Sequence, residues 1–301
     1  MPKAILCVSL SPAWTLLYQS QTTDTSAGRL ATVSRPTASG AQTTTLKYEV
    51  PRSGAGAPYD MSPATLQTLG QVDLPIDGTA VFAPGSSTSD LAQATMHYLS
   101  GDGREVNTVE PSQAGARVSM REHSENGDVT RELTAANRAR ALASGLSGSA
   151  LIAEANALST LRGFYVTSAG SRMAWELGPR HSASVPGQST PQQVRRHEIP
   201  AYDEGRAFGD TTAYNLPTTR TVAARTGSDD PATFDQLTAN DVDRRVRTTV
   251  YNYGLRLPTT EVTDPGGLAL ANVTVYNADG LVTQSTLPSG NAAATRHTRY
   301  Y

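Results

Sequence analysis

The five histidines are the side chains of this sequence best suited to bind a metal or to transfer a proton. They lie at His97, His123, His181, His197 and His297. No two of them have the HExxH spacing that places two imidazoles on one zinc ion. Histidines on strand faces or on the surface explain this scatter better than a metal centre. We therefore expect neither a metal site nor a cofactor.

Nucleophilic catalysis and nucleotide binding have recognisable local signatures, and the sequence contains no GxSxG, GxGxxG or GxxxxGK[ST] motif. Gly54-Ala55-Gly56 begins like a dinucleotide fingerprint, but Tyr59 occupies the position of the third glycine. The pairs Arg195-Arg196 and Arg244-Arg245 have acidic residues nearby, which favours solvated strand ends over a phosphate site. We expect that the chain is not an enzyme.

The composition excludes two classes of partner. The net charge is -2 and 17% of the residues are charged, so no strong positive field is available to bind nucleic acid. No run approaches the roughly 18 apolar residues of a membrane-spanning helix. The single cysteine, Cys7, rules out an internal disulfide framework.

The stretch from Arg247 to Gly290 contains one short unit twice. Tyr251 and Tyr276 each end a run of β-branched residues, and each is followed within a few residues by a glycine, Gly254 or Gly280. β-branched and aromatic residues favour strands, and glycine tolerates the positive φ of tight turns. The pattern predicts hairpins that bury their apolar face only by packing against their neighbours.

Similar units occur earlier in the chain. A proline follows the glycine by eight residues in Gly28 to Pro36, Gly103 to Pro111 and Gly280 to Pro288, which predicts strands that begin at a glycine turn and end at the proline. Gly127 begins a similar arm without the proline, and Tyr48 and Tyr98 end the arms that lead into two further turns.

Two stretches break this pattern and predict helices. Ser62 to Gly70 has an N-cap serine, a proline at the first helical position and a terminal glycine. Residues 135–162 are rich in Ala, Leu and Arg and predict a helical insertion, broken near Gly145 to Gly148. The predicted organisation is an N-terminal segment at 1–22, β-repeats at 23–134, the insertion at 135–162 and further β-repeats at 163–301. Residues Ala4 to Leu10 resemble a signal-peptide core, although a first strand or the arbitrary start of a fragment explains them better.

These units resemble the YD-repeat, or Rhs, family, in which a Tyr-Asp pair precedes a glycine and a β arm. Tyr202-Asp203-Glu204-Gly205 carries the literal dipeptide, whereas Tyr251 and Tyr276 are followed by Asn. The segment that ends at Gly28 looks like a unit without its Tyr, and His123 stands in the Tyr position before Gly127.

The resemblance implies a mainly β fold of consecutive antiparallel hairpins, part of a spiralling shell with short helical insertions. Such shells enclose a C-terminal toxin or effector, often in secreted or surface-attached bacterial proteins. The chain is shorter than a closed shell and ends on Tyr300-Tyr301 without a cargo domain, so we expect a shell segment whose partners are the rest of the shell and its effector. Asp264-Pro265-Gly266-Gly267-Leu268 resembles the string at which Rhs cores cleave themselves, but an ordinary turn is the better interpretation.

A binding module is the alternative. Exposed aromatic side chains on a β scaffold contact carbohydrate or partner proteins, and Trp14 and Trp175 are the candidates.

Overall fold

The computed structural model describes residues 14–19, 28–113, 115–227, 229–288 and 296–299. The fold is mainly β, as the sequence predicts, and its strands pair in antiparallel fashion. The chain forms two compact units, one of Met1–Glu122 with Leu133–Ala155 and one of His123–Glu132 with Asn156–Tyr301.

In the first unit, successive strands pair with their neighbours in sequence. The strands are β1 (Thr15–Tyr18), β2 (Leu30–Thr37), β3 (Gly40–Lys47), β4 (Asp77–Phe82), β5 (Thr95–Leu99), β6 (Glu105–Glu110) and β7 (Arg117–His123). Leu91–Gln93 forms a short 3-10 helix.

The core of the first unit lies on one face of β4 and β5. Buried and half-buried residues alternate strictly along both strands, which is the period-2 pattern of a sheet with one dry face. Phe82, Met96 and Tyr98 supply the large buried side chains. Helix α1 (Pro63–Gln67) covers them with Leu66.

Three helices interrupt the strands of the described chain. Ser62 caps α1 by accepting the Thr65 N–H, as its sequence suggests. Helices α2 (Ala135–Leu142) and α3 (Gly148–Ala157) occupy most of the predicted insertion. Gly145, between the two helices, and Gly148, the first residue of α3, have positive φ. Thr160 to Arg162, expected to be helical, are strand instead.

The second unit is likewise built of antiparallel strands that pair with their neighbours in sequence, except that β10 and β11 both pair with β12. Its strands are β8 (Val129–Leu133), β9 (Thr160–Thr167), β10 (Gly170–Leu177), β11 (His181–Ala183), β12 (Gln192–Tyr202), β13 (Pro217–Thr226), β14 (Asp241–Asn252), β15 (Leu257–Thr263), β16 (Leu270–Tyr276), β17 (Val282–Leu287) and β18 (Arg296–Arg299). Pro231–Thr233 forms a second 3-10 helix.

The expectation that each proline ends its strand is wrong at Pro36. Strands β6 and β17 do stop just before Pro111 and Pro288, but Pro36 lies inside β2 opposite Ala41. The last described pair between β1 and β2 is at Ser34, so Pro36 lies beyond the end of β1. Among the described residues β2 has no partner on that side at Pro36, and a proline, which has no N–H to donate, is tolerated at such a position.

Some predicted features lie outside the described residues. They are the signal-like stretch Ala4 to Leu10, the start of the first predicted repeat at 23–27 and the terminal Tyr300-Tyr301.

Candidate functional site

The repeat-defining glycines Gly103, Gly127 and Gly280 close three hairpin turns with one geometry. In each turn the glycine N–H bonds to the carbonyl three residues earlier, at 3.0, 2.9 and 3.1 Å. That earlier residue donates its own N–H to the carbonyl just after the glycine, at 2.8, 2.9 and 2.9 Å. All three glycines have positive φ, between 73° and 89°. This is the type I turn with a left-handed fourth residue that joins twisted antiparallel strands.

The first residue of the turn explains the preference for Asp, Asn or Ser after the tyrosine position. Asn277 Oδ1 accepts the N–H groups of Asp279 and Leu281 at 3.0 and 2.9 Å. In the equivalent turn, Ser124 Oγ accepts the Asp128 N–H at 3.2 Å. The side chain therefore binds turn N–H groups that the strands do not use.

Two of the repeat tyrosines anchor the strand arms through their hydroxyl groups. Tyr48 donates to the Leu30 carbonyl at 2.9 Å and Tyr276 to the Pro258 carbonyl at 3.0 Å, in both cases 18 residues upstream. Tyr98 has a different environment, because its ring is fully buried in the first core and its hydroxyl has no hydrogen-bond partner. Burial raises the pKa of Tyr98 to about 12.

Gly28 and Gly254 do not repeat this turn in full. Gly28 donates to the Gln19 carbonyl at 3.1 Å and has positive φ, but it closes a longer connection. The expectation of positive φ at Gly254 is wrong, because Arg256 takes the left-handed conformation in that loop. Asn252 Oδ1 there accepts the Leu255 N–H at 3.1 Å, which sets a longer loop with a different bend.

The literal Tyr202-Asp203 pair supports the loop that ends at Leu216. The Asp203 carboxylate is buried and accepts three successive backbone N–H groups, from Tyr214, Asn215 and Leu216, at 3.2, 3.2 and 2.9 Å. Arg172 adds an ion pair at 3.3 Å and stacks over the Tyr202 ring. Gly205, which has positive φ, begins the loop. The Asp thus satisfies a run of N–H groups that no strand pairs.

A buried polar cluster lies on one face of β12 to β14. Asp241 accepts hydrogen bonds from Arg225 at 3.0 and 2.8 Å, from the Thr238 N–H at 2.7 Å and from His197 Nδ1 at 2.7 Å. The other His197 nitrogen meets the Phe234 carbonyl at 2.8 Å. Burial alone raises the pKa of Asp241, but the bonds from Arg225, Thr238 and His197 outweigh it and hold the pKa at about 2.

This cluster fastens the segment between β13 and β14. Arg225 also donates to the carbonyls of Thr233 and Gln236, at 3.0 and 2.9 Å. Because Asp241, Arg225 and His197 are all enclosed, no substrate could reach them. The arrangement holds a loop in place and offers no general acid or base to a ligand.

A ladder of ion pairs crosses the second unit from β8 to β13, and on β12 and β13 it lies on the face opposite the buried cluster. Its members, in order across the strands, are Glu132, Arg162, Glu176, Arg196, Glu198 and Arg220. Arg220 binds both oxygens of Glu198, at 2.5 and 2.8 Å. Burial alone raises the pKa of Glu198, but the bonds from Arg220 and Arg196 outweigh it and keep the pKa below its usual value. The alternating signs make the ladder self-neutralising.

The two candidate tryptophans differ in their availability to a ligand. Trp14 is 62% exposed, with the Arg35 guanidinium over its ring at 5.8 Å. Trp175 is half-buried and packs at 5.0 Å against Phe234. Its indole also lies so close to Gly163 that any side chain at that position would collide with it. Trp175 is therefore already used in packing.

The structure brings no metal-binding group together among the described residues. His97 pairs with Glu105 at 3.2 Å and His181 Nδ1 bonds to the Pro179 carbonyl at 3.0 Å, whereas the His297 side chain lies outside the described part. Asp264 forms a turn, in which its carboxylate accepts the Leu268 N–H at 2.8 Å. No described helix has both the length and the apolar character needed to cross a membrane.

A second recurrent turn was missed in the sequence. Thr37 and Thr167 each open a hairpin that closes at a glycine three residues later, and each hydroxyl donates to that glycine's carbonyl, at 2.6 and 2.8 Å. Ser112 does the same with Gly115 at 2.6 Å. The signal was present as Ser or Thr three residues before Gly.

Comparison with known proteins gives a limited result. No family model and no curated protein matches the chain. Similar solved structures include TcdB2-TccC3 without its hypervariable C-terminal region, TcdB2-TccC3-TEV, and a Photorhabdus luminescens Tc holotoxin pore with a TccC3 mutation. Their identities are 10%, 10% and 9%, and their TM-scores are 0.26, 0.27 and 0.26. The alignments cover 96% of this chain but only 15% of those chains, and TM-scores this low support no argument about function.

Proposed function

We propose that this chain is a structural segment of a YD-repeat shell or scaffold and has no catalytic activity of its own. The observation that carries the proposal is the single turn geometry built at Gly103, Gly127 and Gly280. A unit that recurs with the same hydrogen bonds serves to propagate a sheet.

The charges of the second unit support a structural role. Its buried carboxylate, Asp241, is bound by Arg225 and His197, and the ladder on the other face pairs each charge with a neighbour on the same sheet. Catalytic groups need access to a substrate, and these groups are used to hold strands and loops.

In this proposal the segment belongs to a larger bacterial protein of the polymorphic-toxin type, secreted or attached to the cell surface. Its partners are further YD-repeats and a C-terminal effector that the assembly encloses or presents. The resemblance of Tyr202-Asp203-Glu204-Gly205 and of the Tyr-Asn turns to the family supports this context.

Cross-linking in the producing cell tests the proposal. The chain is tagged at its natural locus, cross-linked before lysis, and its partners are identified by mass spectrometry. We expect cross-links to polypeptide with further Tyr-Asx-x-x-Gly repeats and to an effector domain, and none to an unrelated tagged protein of equal abundance. Recovery of the chain only as an isolated monomer would contradict the shell role.

A carbohydrate- or protein-binding surface module is the second candidate, and the exposure of Trp14 favours it. A glycan array separates the two functions. Binding that the Trp14→Ala variant loses and the Trp175→Ala variant keeps would support this module, because Trp175 is used in packing. Absence of binding to the array would favour the scaffold.

A further inference from the structure

An open groove of about 350 Å³ lies on the ladder face of the second unit, between β11 and β14. Val194, Val222 and Ala224 form an apolar floor. The rim is polar and carries His181, Arg196, Asp243 and Arg245. An apolar floor with a few convergent polar groups is the usual composition of a small-molecule site.

A β-bulge creates this rim. Val222 pairs with Arg245 and Ala224 pairs with Val242, so two residues of β14 lie opposite the single residue Ala223. The extra residue reverses the side-chain alternation along β14. Asp241 therefore enters the buried cluster on one face while Arg245 stands over the groove on the other. Asp243, inside the bulge, has a left-handed φ of 49°.

The rim has more positive than negative groups. Arg196 is engaged by two ladder carboxylates, whereas the only acid that Arg245 meets among the described residues is Asp243, at 2.9 Å, on its own strand. The Arg245 side chain is 78% exposed, and such surface pairs are weak. A guanidinium bound to one carboxylate through Nη2 keeps further N–H donors for a second acid. His181 stands on the same rim.

We propose that this groove binds an aliphatic carboxylate. The alkyl group rests on Val194, Val222 and Ala224, and the carboxylate is bound by Arg245 with His181 beside it. The acid has two possible sources, the C-terminal residue of a peptide with an aliphatic side chain or a small free acid. This site goes beyond the scaffold proposal and is independent of it.

Saturation-transfer NMR on the purified full chain tests the site with defined probes. N-acetylleucine is expected to bind with a dissociation constant of about 1 mM, as suits a ligand of its size. N-acetylleucinamide lacks the charge and N-acetylglycine lacks the alkyl group, so each should bind about tenfold more weakly. Equal signals from all three probes would overturn the proposal.

Two variants of β14 locate the binding. Arg245→Gln should weaken N-acetylleucine binding by about tenfold. Arg247→Gln should leave it unchanged, because Arg247 pairs with Glu261 at 3.7 Å and does not line the groove. Binding that survives Arg245→Gln would reject the site. If acetyl-Ala-Ala-Leu binds more tightly than 4-methylpentanoate, the ligand is the C-terminus of a peptide. If 4-methylpentanoate binds more tightly, the ligand is a small free acid.

Discussion

Replacing Gly103 by alanine tests the turn on which the repeat depends. Gly103 has a φ of +73°, and a Cβ added there would meet no atom within 4 Å, so the cost is backbone strain alone. An alanine in the left-handed region costs ~1–2 kcal/mol. Alanine also restricts the unfolded chain, which offsets ~0.4–1 kcal/mol. We expect Gly103→Ala to lower the free energy of unfolding by ~1 kcal/mol.

Gly101 in the same turn supplies the matched control. Its φ is not positive, and an added Cβ would meet only Ile76 Cδ1, at an ordinary 3.8 Å. Gly101→Ala should therefore leave stability unchanged or raise it by ~0.5 kcal/mol. Gly103→Asn should lower the free energy of unfolding by less than Gly103→Ala does, because Asn tolerates the left-handed region.

Urea unfolding followed by circular dichroism measures this difference through the transition midpoint. Hydrogen exchange at the Ser100 amide, which donates to the Arg104 carbonyl, reports whether the loss is local to the hairpin. If the two alanine variants unfold at the same urea concentration, the positive φ of Gly103 has no effect on stability. The claim that the repeated glycines are required by their backbone conformation would then be rejected.

Four further outcomes follow from the described contacts. The pKa of Asp241 lies at about 2 instead of 3.8, so the ionised carboxylate stabilises the fold by ~2 kcal/mol above about pH 4, and this stabilisation is lost as the pH falls towards 2. When unfolding is measured as a function of pH, the free energy of unfolding should fall less on acidification in Asp241→Asn than in the wild-type chain. An equal fall in both would contradict this. Asp203→Ala leaves three backbone N–H groups without their acceptor and should cost ~2 kcal/mol or more, with faster tryptic cleavage after Arg206 than in the wild-type chain. In Gly163→Ala the added methyl group collides with the Trp175 indole, which should lower the free energy of unfolding by ~1–3 kcal/mol and shift the tryptophan fluorescence. An unchanged spectrum would show that the indole moves freely. The free chain should self-associate, as measured by light scattering, because β1 exposes apolar side chains on both faces. Leu17→Lys should reduce the self-association, and a monodisperse wild-type monomer would refute the prediction.

Local features of the sequence predicted the turns. Glycine is selected by the backbone conformation of its own residue, so Gly103, Gly127 and Gly280 could be located without the fold. The N-cap at Ser62 is local in the same sense. Gly254 and Pro36 were misjudged because the outcome depends on the length of the loop and on where the neighbouring strand ends.

The polar clusters could not be predicted from spacing. His197 and Asp241 are 44 residues apart and meet only because β12, β13 and β14 are adjacent. The bulge opposite Ala223, which sends Asp241 inward and Arg245 outward, leaves no signal in the alternation of residues along β14. Register is a property of paired strands, so a single strand does not reveal it.

The two faces of the second unit explain how a scaffold could still hold a ligand. On the buried face, Arg225 and His197 are saturated by Asp241 and backbone carbonyls, so substitution there affects stability. On the ladder face, Glu176 and Glu198 each lie between two arginines of the ladder, which leaves little net field to attract a charged partner. Arg245 differs because the bulge places it beside an apolar floor with one acid on its own strand. A ligand on this face would therefore meet Arg245, whose single ion pair is exposed to solvent, beside an apolar surface.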